Sequence, residues 1–452
     1  MAAAASTVAA CNADHILLTQ SGNTDPATAR LIALEADIKE GRIDAAITRL
    51  KAFVAAYPAD VRAHFFDALI ARARNDTRSE LLAFKRVTTL APRWAPPFGE
   101  LALSLLREGR HAEAMTAADT AVELAPGKRP MLDVAIAVAV KSGFSSVALA
   151  YMQRTHALWP DDLVLDRKIG TLLTIMQRYD EAEAHWRRLL AQYPDDTLAE
   201  VNYGYTLTAM GRNDDAVALL ERVLRREPGN ATAAFFLAAA RGETPASQPP
   251  GLVQAIFDGY AERFDNELVG KLKYRVPQRV AEIVRTQQRP RLDLLDLGCG
   301  TGLLGVHLGK IDGNLVGVDL SPRMLEQARR HGLYTELKQG DLLDILRETA
   351  PASFDIVTAN DVFIYVGDLA AVIPACFGVL RPGGALIFSC EAAEAAEGPL
   401  VLRPSKRYAH SRASIEALCR AAGFAGCRME DIDVRLENNA PIPGFIAVAE
   451  KA

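Results

Sequence analysis

The sequence has few cysteines, and those it has are not arranged as a metal site or a disulfide framework. Its 452 residues include six cysteines, none of which forms a C-x-x-C pair, and no histidine cluster accompanies them. Structural zinc sites and disulfide-rich domains both need such spacings, so neither is expected. The cysteines are predicted to be reduced thiols of a cytoplasmic protein.

The chain also lacks a basic excess and long hydrophobic runs. Lysine and arginine number 51 against 56 aspartates and glutamates, for a formal charge of −5. Proteins that bind nucleic acid by neutralising phosphates usually show the opposite balance, which argues against a nucleic-acid partner. No stretch approaches the ~18 consecutive apolar residues of a membrane span. Residues 1–26 lack the basic region of a secretory signal, and we expect a flexible leader there.

Prolines recur at a fixed interval in the first half of the chain. Six of them are separated by 34 residues each: Pro58, Pro92, Pro126, Pro160, Pro194 and Pro228. The residues twelve positions before them are alanine in five of six cases: Ala46, Glu80, Ala114, Ala148, Ala182 and Ala216. A small residue suits a point where two helices cross closely. The pattern therefore predicts a stack of helix pairs.

Period, small residues and terminal prolines together resemble the tetratricopeptide repeat. The resemblance implies an all-α solenoid over residues 27–241, with six repeats and a capping helix. The second repeat departs from the pattern at Glu80 and is expected to be locally irregular. In this family the concave face binds peptides or protein surfaces, so a peptide or protein partner is expected in the groove. Its candidate residues are Arg167, Lys168, Asn202 and Tyr205, although they could equally be solvated surface.

A stretch rich in proline and glycine, GETPASQPPG, begins at residue 242 and predicts a linker over 242–250. Beyond it, short apolar runs alternate with helical patterns, as in LDLLDL (292–297), NLVGVD (314–319) and FDIVTA (354–359). Such alternation predicts βαβ units and a mostly parallel sheet in a domain over 251–452. The last two runs are joined by a short connection, which predicts a terminal antiparallel hairpin.

The most informative stretch is LLDLGCGTGLLG, residues 294–305. Glycines permit a sharp turn and a close approach of the backbone to a ligand, at the start of a helix that offers free N–H groups. Residues 300–305 formally fit the dinucleotide fingerprint G-x-G-x-x-G, which is a weak match on its own. Asp296 before the turn would repel a pyrophosphate but could receive an ammonium group. A cationic ligand is therefore favoured over a dinucleotide.

The D-x-G-x-G-x-G pattern resembles the first motif of class I S-adenosylmethionine-dependent methyltransferases. IFDGYAERFD, KLKYRVP, NDVFIYVGDL and RYAHS further resemble a bacterial group of predicted methyltransferases with N-terminal tetratricopeptide repeats. The resemblance implies a Rossmann-like α/β fold with seven strands, S-adenosylmethionine as cofactor and S-adenosylhomocysteine as product. It implies that Asp319 binds the ribose hydroxyls, that Asp341 and Leu342 contact the adenine, and that Met324 lies nearby. The full predicted cofactor set is Tyr260, Tyr274, Asp296, Gly298, Cys299, Gly300, Gly302, Asp319, Leu320, Met324, Asp341, Leu342, Asn360 and Asp361.

Methyl transfer from a sulfonium is an in-line displacement, so the enzyme mainly positions the reactants, and a general base is optional. Candidate catalytic residues lie after the predicted strands, where open α/β sheets form their crevice. They are His410, Tyr365 and Glu391. His410 is the preferred base because its unperturbed pKa lies nearest neutrality. His410 could instead make only structural hydrogen bonds, and Glu391 could be a strand-end charge.

These patterns predict a methyltransferase that acts on a small molecule, free or bound to a carrier or protein. The repeat domain would recognise the acceptor or a partner. The alternative is a repeat scaffold whose methyltransferase-like domain binds the cofactor without turnover. Whether oxygen, nitrogen, sulfur or carbon is methylated stays open. Tyr260, Phe264 and Tyr274 could close over the cofactor through cation–π attraction, but such aromatics are more often core residues.

Overall fold

The computed structural model describes residues 25–260, 274–287, 289, 291–437 and 440–452. Contacts divide the chain into two compact units, Met1–Arg178 and Tyr179–Ala452. The domain boundaries expected from the sequence, at residues 26, 241 and 250, stay a prediction. Within the described part of the chain, no helix combines the length and hydrophobicity needed to cross a membrane.

The described part of the first unit consists of helices joined by short turns. They are α1 (Pro26–Lys39), α2 (Ile43–Ala56), α3 (Arg62–Ala73), α4 (Thr77–Leu90), α5 (Ala95–Arg107), α6 (His111–Leu124), α7 (Arg129–Lys141), α8 (Ser145–Leu158) and α9 (Leu163–Ile175). Each periodic proline stands two residues after the end of every second helix, where a residue without an N–H cannot continue the helical hydrogen bonding. Helix pairs with the predicted 34-residue period are confirmed.

The small residues of the repeat lie where helices cross. Ala46, Ala114 and Ala148 are fully buried in the second helices of their pairs. Glu80 holds the equivalent position in α4 and is also buried, with 2% of its surface exposed. Its carboxylate accepts hydrogen bonds from Ser104 Oγ at 2.6 Å and Arg72 Nε at 2.7 Å. Because the charge is paired in this way, α4 is regular, and the expected irregularity is not found.

The second unit begins with four helices that continue the repeat: α10 (Tyr179–Gln192), α11 (Thr197–Ala209), α12 (Asn213–Arg226) and α13 (Ala231–Ala240). Ala182 and Ala216 are again fully buried. A Cβ atom on Gly204 of α11 would lie 2.8 Å from Leu220 Cδ2 of α12. This close approach explains why the repeat has a small residue there.

An α/β domain follows in the same unit. Its helices are α14 (Pro250–Tyr260), α15 (Val276–Thr286), α16 (Leu303–Leu308), α17 (Pro322–His331), α18 (Leu342–Glu348), α19 (Phe363–Val366), α20 (Val372–Val379) and α21 (Arg412–Ala422). Its strands are β1 (Leu294–Leu297), β2 (Leu315–Asp319), β3 (Glu336–Gln339), β4 (Phe354–Ala359), β5 (Leu380–Ala392), β6 (Leu400–Leu402), β7 (Tyr408–His410), β8 (Gly426–Glu437) and β9 (Ala440–Glu450).

The sheet contains a parallel core with the order β3-β2-β1-β4-β5. Strand β9 pairs antiparallel with both β5 and β8, so the predicted terminal hairpin is confirmed. The sheet has nine described strands, because β6 and β7 add to the seven expected. These two form a small hairpin whose second strand pairs with the end of β5, beyond the last residue of β4. The hairpin thus stands at the carboxyl edge of the sheet, where open α/β folds bind ligands.

Candidate active site

A cavity of about 1130 Å³ lies at the carboxyl ends of β1, β2 and β4. Its walls come from the glycine turn after β1, the loops after β2, β3 and β4, helix α14 and the segment that precedes α14. Ligand pockets typically measure about 300–1,000 Å³. The cavity is therefore large enough to hold two small molecules side by side.

The glycine turn forms the floor of the cavity. Gly298 and Gly300 both line it, with φ angles of 61° and 55° that disfavour other residues. A Cβ atom on Gly298 would lie 2.4 Å from Val362 Cγ2, so this position also has no room for a side chain. Cys299 lines the cavity between them, and its N–H donates to the Val318 carbonyl at 2.9 Å.

Two residues predicted to contact the cofactor are not among the described residues of the cavity wall. Gly302 has a φ of 87°, and a Cβ atom there would lie 3.0 Å from Tyr334 Cε2. The glycine is needed for this packing behind the turn. Met324 is fully buried in the first turn of α17 and therefore packs in the core.

Asp319 at the end of β2 lines the cavity and is held by backbone groups. One carboxylate oxygen accepts a hydrogen bond from the Gly300 N–H at 2.9 Å, and the other accepts from the Ser321 N–H at 2.8 Å. Burial raises the pKa of Asp319 to about 6. The carboxylate is thus fixed in direction beside the glycine turn, with unused lone pairs available to a ligand.

Asp296 at the end of β1 is also held from two sides. Its Oδ2 accepts a hydrogen bond from the Tyr334 hydroxyl at 2.7 Å, and its Oδ1 accepts from Thr358 Oγ1 at 2.8 Å. Burial raises its pKa to about 6 as well. Beside it in the wall, Asn360 Oδ1 is buried and has no hydrogen-bond partner among the described residues. A buried acceptor without a donor next to a carboxylate suits a ligand ammonium group.

The residues predicted to contact the adenine also lie in the cavity wall. Asp341, Leu342 and Leu320 all line the cavity. Asp341 caps α18 through a 2.9 Å hydrogen bond from the Leu343 N–H to Oδ1, which leaves Oδ2 available. Together with Asp296 and Asp319, it gives this end of the cavity three carboxyl groups, a donor set that fits a cation and not a pyrophosphate.

The opposite end of the cavity is aromatic and contains arginines. Tyr274 is 8% exposed and lines the wall, as do Phe257, Tyr365 and Arg407. The Tyr365 ring meets Phe257 edge to face, with centroids 5.3 Å apart. Burial raises the pKa of the Tyr365 hydroxyl, even though Arg407 lies close to it. Tyr365 therefore remains protonated near neutral pH and can donate a hydrogen bond.

Arg435 of β8 links two carboxylates at this end. Its Nη1 lies 2.8 Å from Asp361 Oδ2, and its Nη2 pairs with Glu391. Glu391 is buried behind Arg435 and is not among the described wall residues, so its predicted contact with the reactants is not found. Burial raises the pKa of Glu391, and the Arg435 charge opposes this. No feature of the sequence marked Arg435, a buried arginine in a strand, as part of the site.

His410 does not reach the cavity either. It lies in β7 with 3% of its surface exposed, and its Nε2 is 2.6 Å from the Gly367 carbonyl oxygen. Burial lowers its pKa, so the ring is neutral and Nε2 must carry the proton to donate this bond. This geometry does not support the predicted role as base. Tyr260 ends α14, but its side chain and all of Phe264 lie outside the described residues.

The segment predicted as a linker forms part of the wall. Ala246, Ser247 and Gln248 line the cavity. The Gln248 N–H donates to the Tyr365 carbonyl at 3.0 Å, the Asp368 N–H donates to the Ala246 carbonyl at 2.7 Å, and the Tyr408 hydroxyl donates to the Pro245 carbonyl at 2.7 Å. The chain between α13 and α14 is therefore bound to the α/β domain.

Comparisons with known proteins match both the repeats and the α/β domain. A methyltransferase domain model matches residues 295–388, and a tetratricopeptide repeat model matches residues 35–93 and 204–241. A ubiquinone biosynthesis O-methyltransferase of Hydrogenovibrio crunogenus is 33% identical over an alignment of 164 residues, and the match covers 33% of this chain and 68% of the relative. The chain belongs to the class I S-adenosylmethionine-dependent methyltransferases.

One further relative matches over a shorter stretch, and one solved structure matches at lower sequence identity. A ubiquinone biosynthesis O-methyltransferase of Xanthomonas campestris is 32% identical over 116 residues, 25% of this chain and 48% of the relative, so the match spans about half of that protein. The crystal structure of magnesium protoporphyrin IX methyltransferase from Synechocystis is 21% identical, with a TM-score of 0.36, over 46% of this chain and all of that chain. As a member of the family that the sequence relatives and the domain models show, the methyltransferase carries N-terminal repeats and uses S-adenosylmethionine, which supplies an electrophilic methyl group.

Proposed function

We propose that this methyltransferase transfers the methyl group to an oxygen atom of a small-molecule acceptor, either free or attached to a carrier. The observation that carries the proposal is the division of one cavity into two chemically different ends. One end has three carboxyl groups around a glycine turn, and the other has tyrosines and arginines. The choice of oxygen rests on the relatives, which are named O-methyltransferases.

The carboxyl end would hold the cofactor. Asp319 would accept hydrogen bonds from the ribose hydroxyls, because its two oxygens are already aimed by backbone donors. Asp341 and Leu342 would contact the adenine. Asp296 and the free oxygen of Asn360 would accept the ammonium group of the amino-acid portion. These roles fit the positions of the side chains in the wall and complete the hydrogen bonding of Asn360.

The aromatic end would hold the acceptor. Tyr274 and Phe257 would pack against it, and the Tyr365 hydroxyl would donate a hydrogen bond to it. Asp361, which the resemblance assigned to the cofactor set, would instead take the proton of the reacting hydroxyl. Among the candidate bases, His410 and Glu391 lie off the wall and Tyr365 is protonated, whereas Asp361 lines the cavity in a left-handed conformation with a φ of 58°. Such strain in a residue other than glycine is typical of functional sites.

The repeats would recognise the acceptor, its carrier or a partner protein. One contact of the repeats within the second unit supports this, and a second bond holds the turn that makes it. The Gln248 side chain donates a hydrogen bond to the Lys406 carbonyl of the β6–β7 turn, and the Lys406 ammonium lies 5.9 Å from the ring centroid of Tyr205 in α11. The last repeats therefore touch the hairpin at the edge of the cavity. Tyr205, expected to face a peptide groove, packs here against Phe236 and Lys406.

Tritiated S-adenosylmethionine tests the proposed function. The full chain is incubated with the labelled cofactor and a bacterial metabolite extract, and excess S-adenosylhomocysteine serves as the control. Label in small molecules extractable into organic solvent, suppressed by the product, is the expected result. Label in macromolecules that hydrolysis of carrier linkages does not release as a small molecule would show that the acceptor is a protein or nucleic acid. Absence of transfer by a protein that binds the cofactor would favour the scaffold alternative.

A further inference from the structure

Tyr334 lies between α17 and β3, outside the motifs that identified the cofactor site. Its ring packs against three glycines, and it fits there because they have no Cβ atom. Cβ atoms on Gly302, Gly305 and Gly317 would lie 3.0, 2.7 and 2.8 Å from the nearest ring carbon of Tyr334. These glycines belong to the turn after β1, to α16 and to β2, so the ring supports the glycine turn from three elements at once.

The hydroxyl group of the same residue reaches the cofactor site. It donates a 2.7 Å hydrogen bond to Asp296 Oδ2, and of the described residues no other donates to that oxygen. The second oxygen, Oδ1, accepts a hydrogen bond from Thr358 Oγ1 at 2.8 Å and lies 3.4 Å from Asn360 Nδ2. The orientation of the Asp296 carboxylate therefore depends on Tyr334 at one oxygen and on β4 and the residue after it at the other.

We infer that Tyr334 is a positioning residue for cofactor binding: its ring supports the glycine turn, and its hydroxyl orients the Asp296 carboxylate toward the ligand ammonium group. The role concerns the cofactor end of the cavity, so it does not depend on which acceptor is methylated. It also does not require contact between Tyr334 and the ligand, because the residue acts through Asp296 and through the backbone of the turn.

The electrostatic surroundings of Asp296 show what loss of the hydroxyl would change. The titratable groups that face it are Asp319 of β2, Cys299 of the glycine turn, Tyr274 before α15 and Tyr334 itself. None of these groups is cationic, so the ionised form of Asp296 is stabilised mainly by hydrogen bonds. The Tyr334 bond lowers the pKa of Asp296 against the effect of burial. Removing it leaves a carboxylate that ionises at higher pH.

The test is the pH dependence of S-adenosylhomocysteine binding, measured by calorimetry on the full chain between pH 5 and pH 8.5. Tyr334→Phe keeps the ring and removes the hydroxyl. We expect the acid limb of its affinity profile to move up by roughly one pH unit, the effect of one hydrogen bond to a charged group. Affinity at pH 8.5 should stay within about threefold of the parent value, because Asp296 is ionised there in both proteins.

Two further variants separate the hydroxyl from the ring and from general effects. Tyr334→Leu removes the support of the turn and should weaken binding by about tenfold or more at every pH. Tyr151→Phe is the matched control, since it removes another tyrosine–aspartate hydrogen bond, to Asp119 in the first unit. It should bind as the parent does at every pH.

An acid limb in Tyr334→Phe that coincides with the parent would overturn the role of the hydroxyl. An equal shift in Tyr151→Phe would overturn it too, because the shift would not be specific to the site. If the parent itself does not bind S-adenosylhomocysteine, the cofactor site is wrong and the inference fails with it.

Discussion

Arg435 and Asp361 pair at the aromatic end of the cavity, with Nη1 2.8 Å from Oδ2 and 3.1 Å from Oδ1. Because both carboxylate oxygens meet one guanidinium nitrogen, the carboxyl group is fixed in direction. The Asp361 N–H donates to Ser389 Oγ at 2.8 Å, which fixes the backbone as well. An acceptor hydroxyl would therefore meet a preoriented proton acceptor.

Replacing the Asp361 carboxylate by an amide should lower turnover without weakening cofactor binding. Asp361→Asn retains the shape of the side chain but cannot take a proton. We expect turnover to fall by about 10²–10⁴-fold, the usual contribution of a general base, with S-adenosylhomocysteine affinity within about threefold of the parent. Single-turnover transfer of labelled methyl and calorimetry measure the two quantities.

His410→Ala provides the comparison, because the sequence favoured His410 as the base. Its Nε2 donates a hydrogen bond to the Gly367 carbonyl, so we expect the variant to be less stable than the parent. Its turnover, measured below its unfolding temperature, should stay within about tenfold of the parent value. A loss of turnover as large as that of Asp361→Asn, at unchanged stability, would return the role to His410.

Cofactor affinity should fall in acid. Burial raises the pKa values of Asp296 and Asp319 to about 6, and both groups must be ionised to accept hydrogen bonds from the ligand. Below pH 6 the affinity for S-adenosylhomocysteine should therefore decrease by up to about tenfold per pH unit for each group. In the ligand-free protein the same raised pKa values make the free energy of unfolding decrease as the pH rises from about 4 to about 6. Affinity that is constant from pH 5 to pH 8 would contradict these assignments.

The position of Gly298 predicts a steric effect that a second substitution relieves. Gly298→Ala places a Cβ atom 2.4 Å from Val362 Cγ2 at a φ of 61°, and we expect cofactor affinity to drop by about 100-fold. Val362→Ala in the same chain should recover part of that loss. Gly332→Ala is the control, since its φ of 64° lies in the left-handed region and no atom lies within 4 Å of the added Cβ. Equal affinity losses in Gly298→Ala and Gly332→Ala would mean that the contact with Val362 is not the cause.

The segment before α14 should behave as part of the catalytic domain. A fragment of residues 243–452 keeps the bonds made by Pro245, Ala246 and Gln248, whereas 251–452 loses them. At about 1 kcal/mol per bond, we expect the shorter fragment to unfold roughly 10 °C lower. The unfolding temperatures of both fragments are measured with and without S-adenosylhomocysteine and compared with that of a fragment of residues 179–452. Equal unfolding temperatures would restore the boundary at 251 that the sequence predicted.

The sequence was sufficient where local pattern determines structure. The proline interval predicted the helix pairs, and the glycine turn and strand ends predicted residues that line the carboxyl end of the cavity. Contacts between distant residues were not predictable in this way. Arg435 meets Asp361 across 74 positions, and Tyr334 meets Asp296 across 38, because sheet register brings them together. The strands β6 and β7 have three residues each, too few to show a period, and His410 therefore appeared to lie in an open loop.

The affinity of Asp319→Ala for S-adenosylhomocysteine tests the central claim, that the carboxyl end of the cavity binds the cofactor. The measurement is calorimetric, is made at pH 7.5 and needs no acceptor. Asp344→Ala is the control, because Asp344 is an exposed aspartate of α18 that pairs only with Arg347 among the described residues. We expect a loss of about 10- to 100-fold for Asp319→Ala, from two charge-assisted hydrogen bonds to ribose, and parent affinity for Asp344→Ala. Parent affinity in Asp319→Ala would mean that this end of the cavity does not bind the cofactor.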